Sequence, residues 1–518
     1  MATGKKRRAR LSVAMIVRDE AELLATSIES IRAIADEVVV YDTGSTDRTP
    51  EIARRLGAIV TRGVWSDDFS AARNRAMALC TGQWILWLDA GERLLPATAA
   101  ELRTFVDEQA SPDMAYAVYV EIPPREPGNS SEQIAQLRLL PNSPLLRYEG
   151  RLREGVRSSL HAAGYTVGAA PGRIARHPRE HDAARKQRRA ERNLHLIALE
   201  AEQLGAYSPR LLLALGDCYA DVGELEDARD AYLQAVSKSP PRSHDLLEAY
   251  YGLLAALNGT ADRPLMLSTC LEALQSFPLD AQLLMAMGNY LQGERRYELA
   301  ARAFELAVRH GQVALEAWHL TELAEVAASC WCLTLRLQGR DAAARKALEE
   351  TLVLRPNSDR LRGHLLDLLV KEGAEDKALQ LFDRLPVVSA HRAAMRDAVR
   401  GACRAARGEW TAALGYLQSA YVGGCTDPFC LRWLATTLLT KGQLEAAEPV
   451  LRHWQQLDPD NAEMKAYLAM LTPQGEPITA SQAGGTTAPR RLRVDPAQSI
   501  VVVPVSTPII SQTTSVDR

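Results

Sequence analysis

No apolar run in this 518-residue chain is long enough to span a bilayer. The first one, from Leu11, is broken by Arg18, Asp19 and Glu20. The basic start, Lys5-Lys6-Arg7-Arg8-Ala9-Arg10, therefore leads into neither a signal peptide nor a membrane span. Residues 1–10 read as a solvated basic N-terminus, with weak attraction to an anionic membrane surface as the alternative. Charge of one sign is scarce: the formal net charge is -3, which argues against a nucleic-acid binder working by bulk electrostatics. The eight cysteines include no paired C-x-x-C units of a zinc site and read as reduced, buried thiols in a cytoplasmic setting. There is no G-x-G-x-x-G after the first strand, no Gly-Lys-Ser/Thr phosphate loop and no G-x-S-x-G elbow. Dinucleotide enzymes, P-loop NTPases and α/β-hydrolases lose their usual signatures.

What is present has two characters. From Leu11, short apolar runs alternate with helical stretches: strand-like 11–17, amphipathic 20–35, strand-like 37–41, helical 49–56, then strand-like 58–61 and 83–88. This rhythm predicts a parallel sheet covered by helices, with ligands at the carboxyl ends of the strands. Beyond about Ala183 strand signals vanish and a period emerges. Leu212, Leu215, Gly216, Tyr219, Ala228, Tyr232, Ala235 and Pro240 fall on tetratricopeptide spacing, and Leu284, Met287, Gly288, Leu291, Ala300, Phe304 and Ala307 repeat it. Weaker copies follow at Ala344–Pro356, Ala378–Phe382, Gly401–Ala420 and Ala447–Pro459, and a divergent one lies around Tyr251, Gly252 and Pro278. About seven tandem helix pairs predict an all-α solenoid, because no single pair buries its apolar face alone. Such an array binds a peptide or protein, or serves a structural or dimerising role. The expected plan is an α/β domain over 11–182, a linking helix over 183–208, repeats over 209–471 and a flexible tail over 472–518.

Three stretches carry polar residues where such a sheet binds ligands. "VVVYDTGSTD" places Asp42 at a strand end, followed by a turn with Gly44, Ser45 and Asp47; Asp42 suits a base or ribose, and Asp47 reads equally as a helix cap. "WSDDFSAARN" offers Asp68, the planar fork of Arg73 and the amide of Asn74, or else a surface loop with a structural ion pair. "WILWLDAGE" ends a buried run on Asp89, with Glu92 after a short turn, the position of a carboxylate that bridges a metal to nucleotide phosphates.

With "LSVAMIVRDEAELLATSIESI" ahead of them, these stretches, in this order and spacing, resemble the N-terminal half of family 2 glycosyltransferases of the GT-A fold. They are most similar to the sublancin-type peptide glycosyltransferases, which carry tetratricopeptide repeats behind the catalytic domain. The resemblance implies transfer of a sugar from a nucleoside diphosphate, a uridine diphosphate sugar first, to a protein, peptide or glycan acceptor that the repeats recruit. It places Val17, Arg18 and Glu20 near the base, Asp42 on the base, and Asp68, Arg73 and Asn74 along the donor. Asp89 becomes the first acid of a D-x-D motif, contacting ribose or a divalent cation, Mn or Mg. "LRLLPNSPLLRYEGRLRE" is similar to the family's R-L-F…Y-x-G-x-x-H-E element, which makes Glu154 the candidate base, with Glu92 next, and His177 a residue closing the metal site. Two positions depart: Gly91 stands where the second Asp is expected, and Arg153 replaces the His of His-Glu. The Gly removes a metal ligand, and Arg153 becomes a candidate cation for the diphosphate. The competing expectation is a catalytically weakened scaffold that binds a nucleotide sugar or a partner protein.

Overall fold

The computed structural model describes residues 10–123, 130–177, 183–258, 262–385, 392–459 and 461–471. The expected tail, the end of the α/β domain at 182 and most of the basic start lie outside the described residues. Two compact units emerge, one holding residues up to Met287 with His310–Leu323, the other holding Gly288–Arg309 and the chain from Ala324.

In the first unit the chain runs β1 (Leu11–Val17), α1 (Leu24–Ile31), β2 (Glu37–Asp42), α2 (Thr49–Arg55), β3 (Ile59–Arg62), α3 (Phe69–Ala78), β4 (Trp84–Trp87), β5 (Glu92–Leu94) and α4 (Pro96–Glu108). It continues with β6 (Met114–Ile122), β7 (Glu132–Pro141), α5 (Arg157–Ala162) and β8 (Thr166–Arg176). The sheet order is β3-β2-β1-β4-β7-β6-β8-β5. The first four strands are parallel as expected, whereas β7 runs antiparallel to β4 and β6, so the sheet is mixed rather than wholly parallel. Of the strands beyond that parallel set, β7, "EQIAQLRLLP", interrupts its apolar residues with polar ones, whereas β6, "MAYAVYVEI", is a nearly continuous apolar run.

β1 is buried along its whole length, and its side chains alternate between two cores. Leu11, Val13, Met15 and Val17 join Ile28 and Ile31 of α1 and Leu102 and Val106 of α4. Ala14 and Ile16 join Phe69 and Ala76 of α3 and, later in the chain, Leu196, Ile197 and Ala201 of α6 (Ala183–Leu204) and Leu211, Ala214 and Cys218 of α7 (Pro209–Val222). The expected linking helix α6 is thus more than a connector: with the first repeat helix it covers one face of the sheet. A short strand far along the chain, β9 (His319–Leu320), also pairs with β7, against the expectation that strands end before the repeats.

The repeats begin with α7, capped by Ser208 with Pro209 in its first turn and closed by Gly223 at φ 90°. α8 (Leu225–Lys238), α9 (His244–Asn258) and α10 (Arg263–Ser276) follow. A Cβ at Gly216 or Gly252 would stand 2.6 or 2.4 Å from the Tyr232 ring, so one buried tyrosine fills a hole made by glycines of two successive helix pairs. The second unit repeats the device: α11 (Ala281–Gly293) and α12 (Tyr297–His310) pack Gly288 against Phe304, with a Cβ-to-ring distance of 2.5 Å. Nine more helices, from α13 (Leu323–Leu337) to α21 (Ala462–Leu471), complete the described chain.

Candidate active site

The pairing of Val17 with Asp42 and of Ala14 with Trp87 brings the carboxyl ends of β2, β1 and β4 side by side. β1 is where the strand order turns from β2 to β4, the kind of crevice in which open α/β sheets bind ligands.

On the β1–β2 side, short polar side chains knit two loops together. Asp19, at φ 53°, accepts hydrogen bonds from the Thr46 amide at 2.7 Å and the Asp47 amide at 3.1 Å, and its own amide donates to Ser45 Oγ at 2.9 Å. Asp47 accepts from the Ala21 amide at 3.1 Å and from the Thr49 amide at 2.9 Å, and the Glu20 amide donates to Thr49 Oγ1 at 2.7 Å. Val17 lends its carbonyl to the Thr43 amide at 3.0 Å, and Arg18 lies 4.0 Å from Asp19. Asp42 is fully buried: Oδ1 takes the Ser45 amide and hydroxyl at 2.8 and 2.7 Å and the Gly44 amide at 3.2 Å, and Oδ2 takes Arg62 at 3.0 Å. Both of its oxygens are engaged, one by the turn and one by Arg62. Gly44 is needed for its φ of 116°.

The middle stretch divides its roles. Asp68 caps α3 by accepting from the Ala71 amide at 2.9 Å and from Ser70 Oγ at 2.7 Å. The Asn74 amide is taken up by the backbone of Tyr148, donating at 2.9 Å and accepting at 2.8 Å. Asn74 thereby docks the stretch at Tyr148 onto α3. Arg73 is buried, stacks 4.1 Å above the Trp87 ring, donates to Glu154 at 2.5 Å and reaches Asp89 at 3.4 Å. Its Nη1 is buried with no hydrogen-bond partner among the described residues.

Asp89 lies in a buried network that composition alone does not announce. The Trp87 indole donates to Oδ1 at 2.9 Å, and Arg138 of β7 donates to Oδ2 at 3.2 and 3.3 Å. Burial works to raise the Asp89 pKa, but Arg138, then Arg73 and Arg176, hold the carboxyl below its ordinary value. Glu92 faces Arg176 across the β5–β8 pair; it accepts from Arg176 at 2.9 Å, from Arg138 at 2.8 Å and, on its other oxygen, from the Asp89 amide at 3.0 Å. Both Glu92 oxygens are thus engaged within the network. Three guanidinium groups, Arg73, Arg138 and Arg176, thus stand against Asp89, Glu92 and Glu154.

Gly91 has φ 84°, its amide donates to Ser27 Oγ at 3.0 Å and its carbonyl accepts from the His177 amide at 2.7 Å. A Cβ there would meet the Leu23 side chain at 3.1 Å, and the φ itself disfavours any residue but glycine, so a carboxylate at this position carries backbone strain. His177 is exposed and meets Gly91 through its backbone. Among the described residues no group of three His, Cys, Asp or Glu is placed to hold a metal. With Asp89 already neutralised by arginines, the side chains present do not fit a divalent cation.

Arg153 is the largest relocation. It does not point at Asp89 but donates to Asp217 of α7 at 2.7 Å and to Glu248 of α9 at 2.9 Å. The cations beside Asp89 are instead Arg73, Arg138 and Arg176. Arg138 stood inside the quoted "LRLLPNS" stretch, while Arg176, Asp217 and Glu248 carried no signal beyond their charge.

Comparison with known proteins agrees with this layout. The Glycosyl transferase family 2 model matches residues 12–152, and a Tetratricopeptide repeat model matches residues 209–240. A TPR repeat-containing protein of Synechococcus elongatus is 34% identical over 282 residues, 53% of this chain and 68% of that one. An uncharacterized glycosyltransferase of Rickettsia felis is 40% identical over 85 residues, 16% of this chain and 30% of its own. The SPbeta prophage-derived glycosyltransferase SunS of Bacillus subtilis is 29% identical over 82 residues, 15% and 19% of the two chains. The chain thus spans about two thirds of the first relative and less than a third of the other two.

Proposed function

The chain belongs to the family 2 glycosyl transferases that carry tetratricopeptide repeats, and from that premise we propose that it moves a sugar from a nucleoside diphosphate, with a uridine diphosphate sugar as first candidate, to a protein, peptide or glycan acceptor. One observation carries the reading: Arg73 bridges Asp89 and Glu154 and keeps a buried donor, Nη1, unspent. A buried guanidinium nitrogen without an acceptor costs stability unless a water or a ligand oxygen completes it. In this reading Arg73 donates to the departing diphosphate or the sugar, with no reorganisation needed as charge develops. Glu154, on the same guanidinium, takes the acceptor proton. The loops knitted by Asp19, Asp42 and Asp47 hold the nucleoside end. No step is assigned to a divalent cation, because the side chains around Asp89 do not fit one. The later repeats recruit the acceptor or a partner protein.

A second reading, a nucleotide-sugar binder without transfer, is favoured by one feature: Glu92 and Asp89 have their oxygens engaged by arginines. Thermal shift of the full chain against a panel of nucleotide sugars, with and without Mn²⁺, tests both. One donor raising Tm equally under the two conditions, with hydrolysis or transfer of that donor, supports the proposal. A shift without turnover favours the binder, and no shift for any donor defeats both.

A further inference from the structure

Between the sheet and the first repeats lies a closed loop in which successive residues are held by different elements. Glu149 and Gly155 exchange backbone hydrogen bonds at 2.9 and 3.0 Å, and Gly150 at φ 97° makes the bend. The Arg151 amide donates to Glu200 of α6 at 2.6 Å, its guanidinium to the Asp67 carbonyl at 3.0 Å, and its carbonyl accepts from the Phe69 amide at 3.1 Å. Leu152 is buried in the sheet's second core. Arg153 takes the left-handed φ of 53°, a conformation that a non-glycine residue adopts at a cost, and spans Asp217 and Glu248. Glu154 comes next and meets Arg73.

The acids that hold Arg153 are themselves held. Tyr232 of α8 donates to Asp217 at 2.9 Å, and His244 lies 3.4 Å from Glu248. A Cβ at Gly155 would stand 3.0 Å from the Arg210 guanidinium, so the loop packs closely against that α7 side chain. Asp217 and Glu248 lie on the first helices of two successive repeats, and the ligand they grip is the catalytic domain's own arginine.

We infer that the first two repeats act on the transfer site itself: Asp217 and Glu248 are positioning residues that fix Arg153 and thereby aim Glu154 at Arg73. The inference rests on the proposed transfer only for Glu154's chemical part; the grip on the loop is independent of it. These two repeats are then occupied within the chain, which leaves acceptor or partner binding to the later ones.

The test compares the full-length chain with the Asp217→Asn/Glu248→Gln double variant and with Arg153→Lys, whose single ammonium cannot span both acids. Hydrogen exchange of peptides covering 149–155 is expected to rise about tenfold or more in the double variant while β1 and β2 amides stay protected. For whichever UDP-sugar of the panel the wild type turns over, kcat should fall by about ten- to a hundredfold with donor KM within about twofold, because a displaced group costs rate rather than binding. Arg153→Lys should fall between. Unchanged exchange overturns the grip, and raised exchange with unchanged kcat overturns the positioning role. A wild type that turns over no donor overturns the proposed transfer together with Glu154's part in it, and the exchange data tell that failure from failure of the grip.

Discussion

Two buried ionic clusters flank Glu154, and they are built on different principles. Around Asp89 three arginines face three acids, and the arginines hold Asp89 below its ordinary pKa against the opposing pull of burial. Around Arg153 two acids share one close guanidinium. Burial pushes Asp217 up to about 6, with Glu248 adding to it and Arg153 opposing, while Glu248 is pulled down to about 2 by Arg153 and His244 in spite of its burial. Arg210, also close by, is depressed by burial and by Arg153. In the first, locked cluster the arginines outweigh burial at Asp89; in the second, burial outweighs Arg153 at Asp217, which gains a proton as pH falls through about 6. The two clusters use the same residue types, and the balance of burial against nearby guanidinium charge sets the direction in which each acid shifts.

The largest effect should come from breaking the locked cluster. Arg138→Met leaves Asp89 and Glu92 buried with less compensation and should cost about 3–5 kcal/mol in denaturant unfolding, since removing one partner of a buried pair strands the other. A cost below about 1 kcal/mol would mean that the network is wet and not a lock.

The titrating cluster should show itself in pH dependence. Asp217 has its folded pKa raised, so its contribution to stability is full below its unfolded pKa near 4 and is lost as pH rises through about 6. Wild type should lose up to about 3 kcal/mol between pH 4 and 7 relative to Asp217→Asn, from roughly two pKa units at about 1.4 kcal/mol each. Glu248 runs the other way: its folded pKa is depressed, and its contribution is present above about 4.5 and lost as pH falls towards 2. Chemical unfolding of wild type and both single variants from pH 3 to 8 checks the two signs. Parallel curves for wild type and Asp217→Asn would remove the distinction between the clusters.

The smallest effect sharpens it. Tyr232→Phe removes one hydrogen bond to Asp217 and should cost about 1 kcal/mol. That hydrogen bond lowers the Asp217 pKa, so its loss should move the midpoint of the pH transition upward, which carboxyl titration by NMR would read.

β1 and β4 were legible because they are buried on both faces and read as apolar runs; "LSVAMIV" is β1 with the bounds the sequence suggests. The repeats were legible because glycine must recur wherever a ring packs against a helix, as Gly216 and Gly252 do around Tyr232. Asp89 was legible as a buried strand-end acid. The antiparallel half was not, because strands such as "EQIAQLRLLP" interrupt their apolar residues with Arg and Gln whose partners lie far along the chain. The partners of Asn74, Glu92 and Arg153 were not legible for a related reason: a polar side chain beside a ligand and one beside a buried backbone look alike in one dimension.

The sequence by itself determined the local periods: which apolar runs form the parallel strands, which stretches stack as helix pairs, and where acids stop strands. These depend on neighbours within a few turns. Only the tertiary structure decided which charges meet. Arg138 and Asp89 are brought together by the β4–β7 pairing, and Arg153 reaches Asp217 and Glu248 only because α6 and α7 cover the same sheet whose loop carries it. Ionic partners are chosen by burial and proximity after folding, and no spacing rule along the chain encodes them.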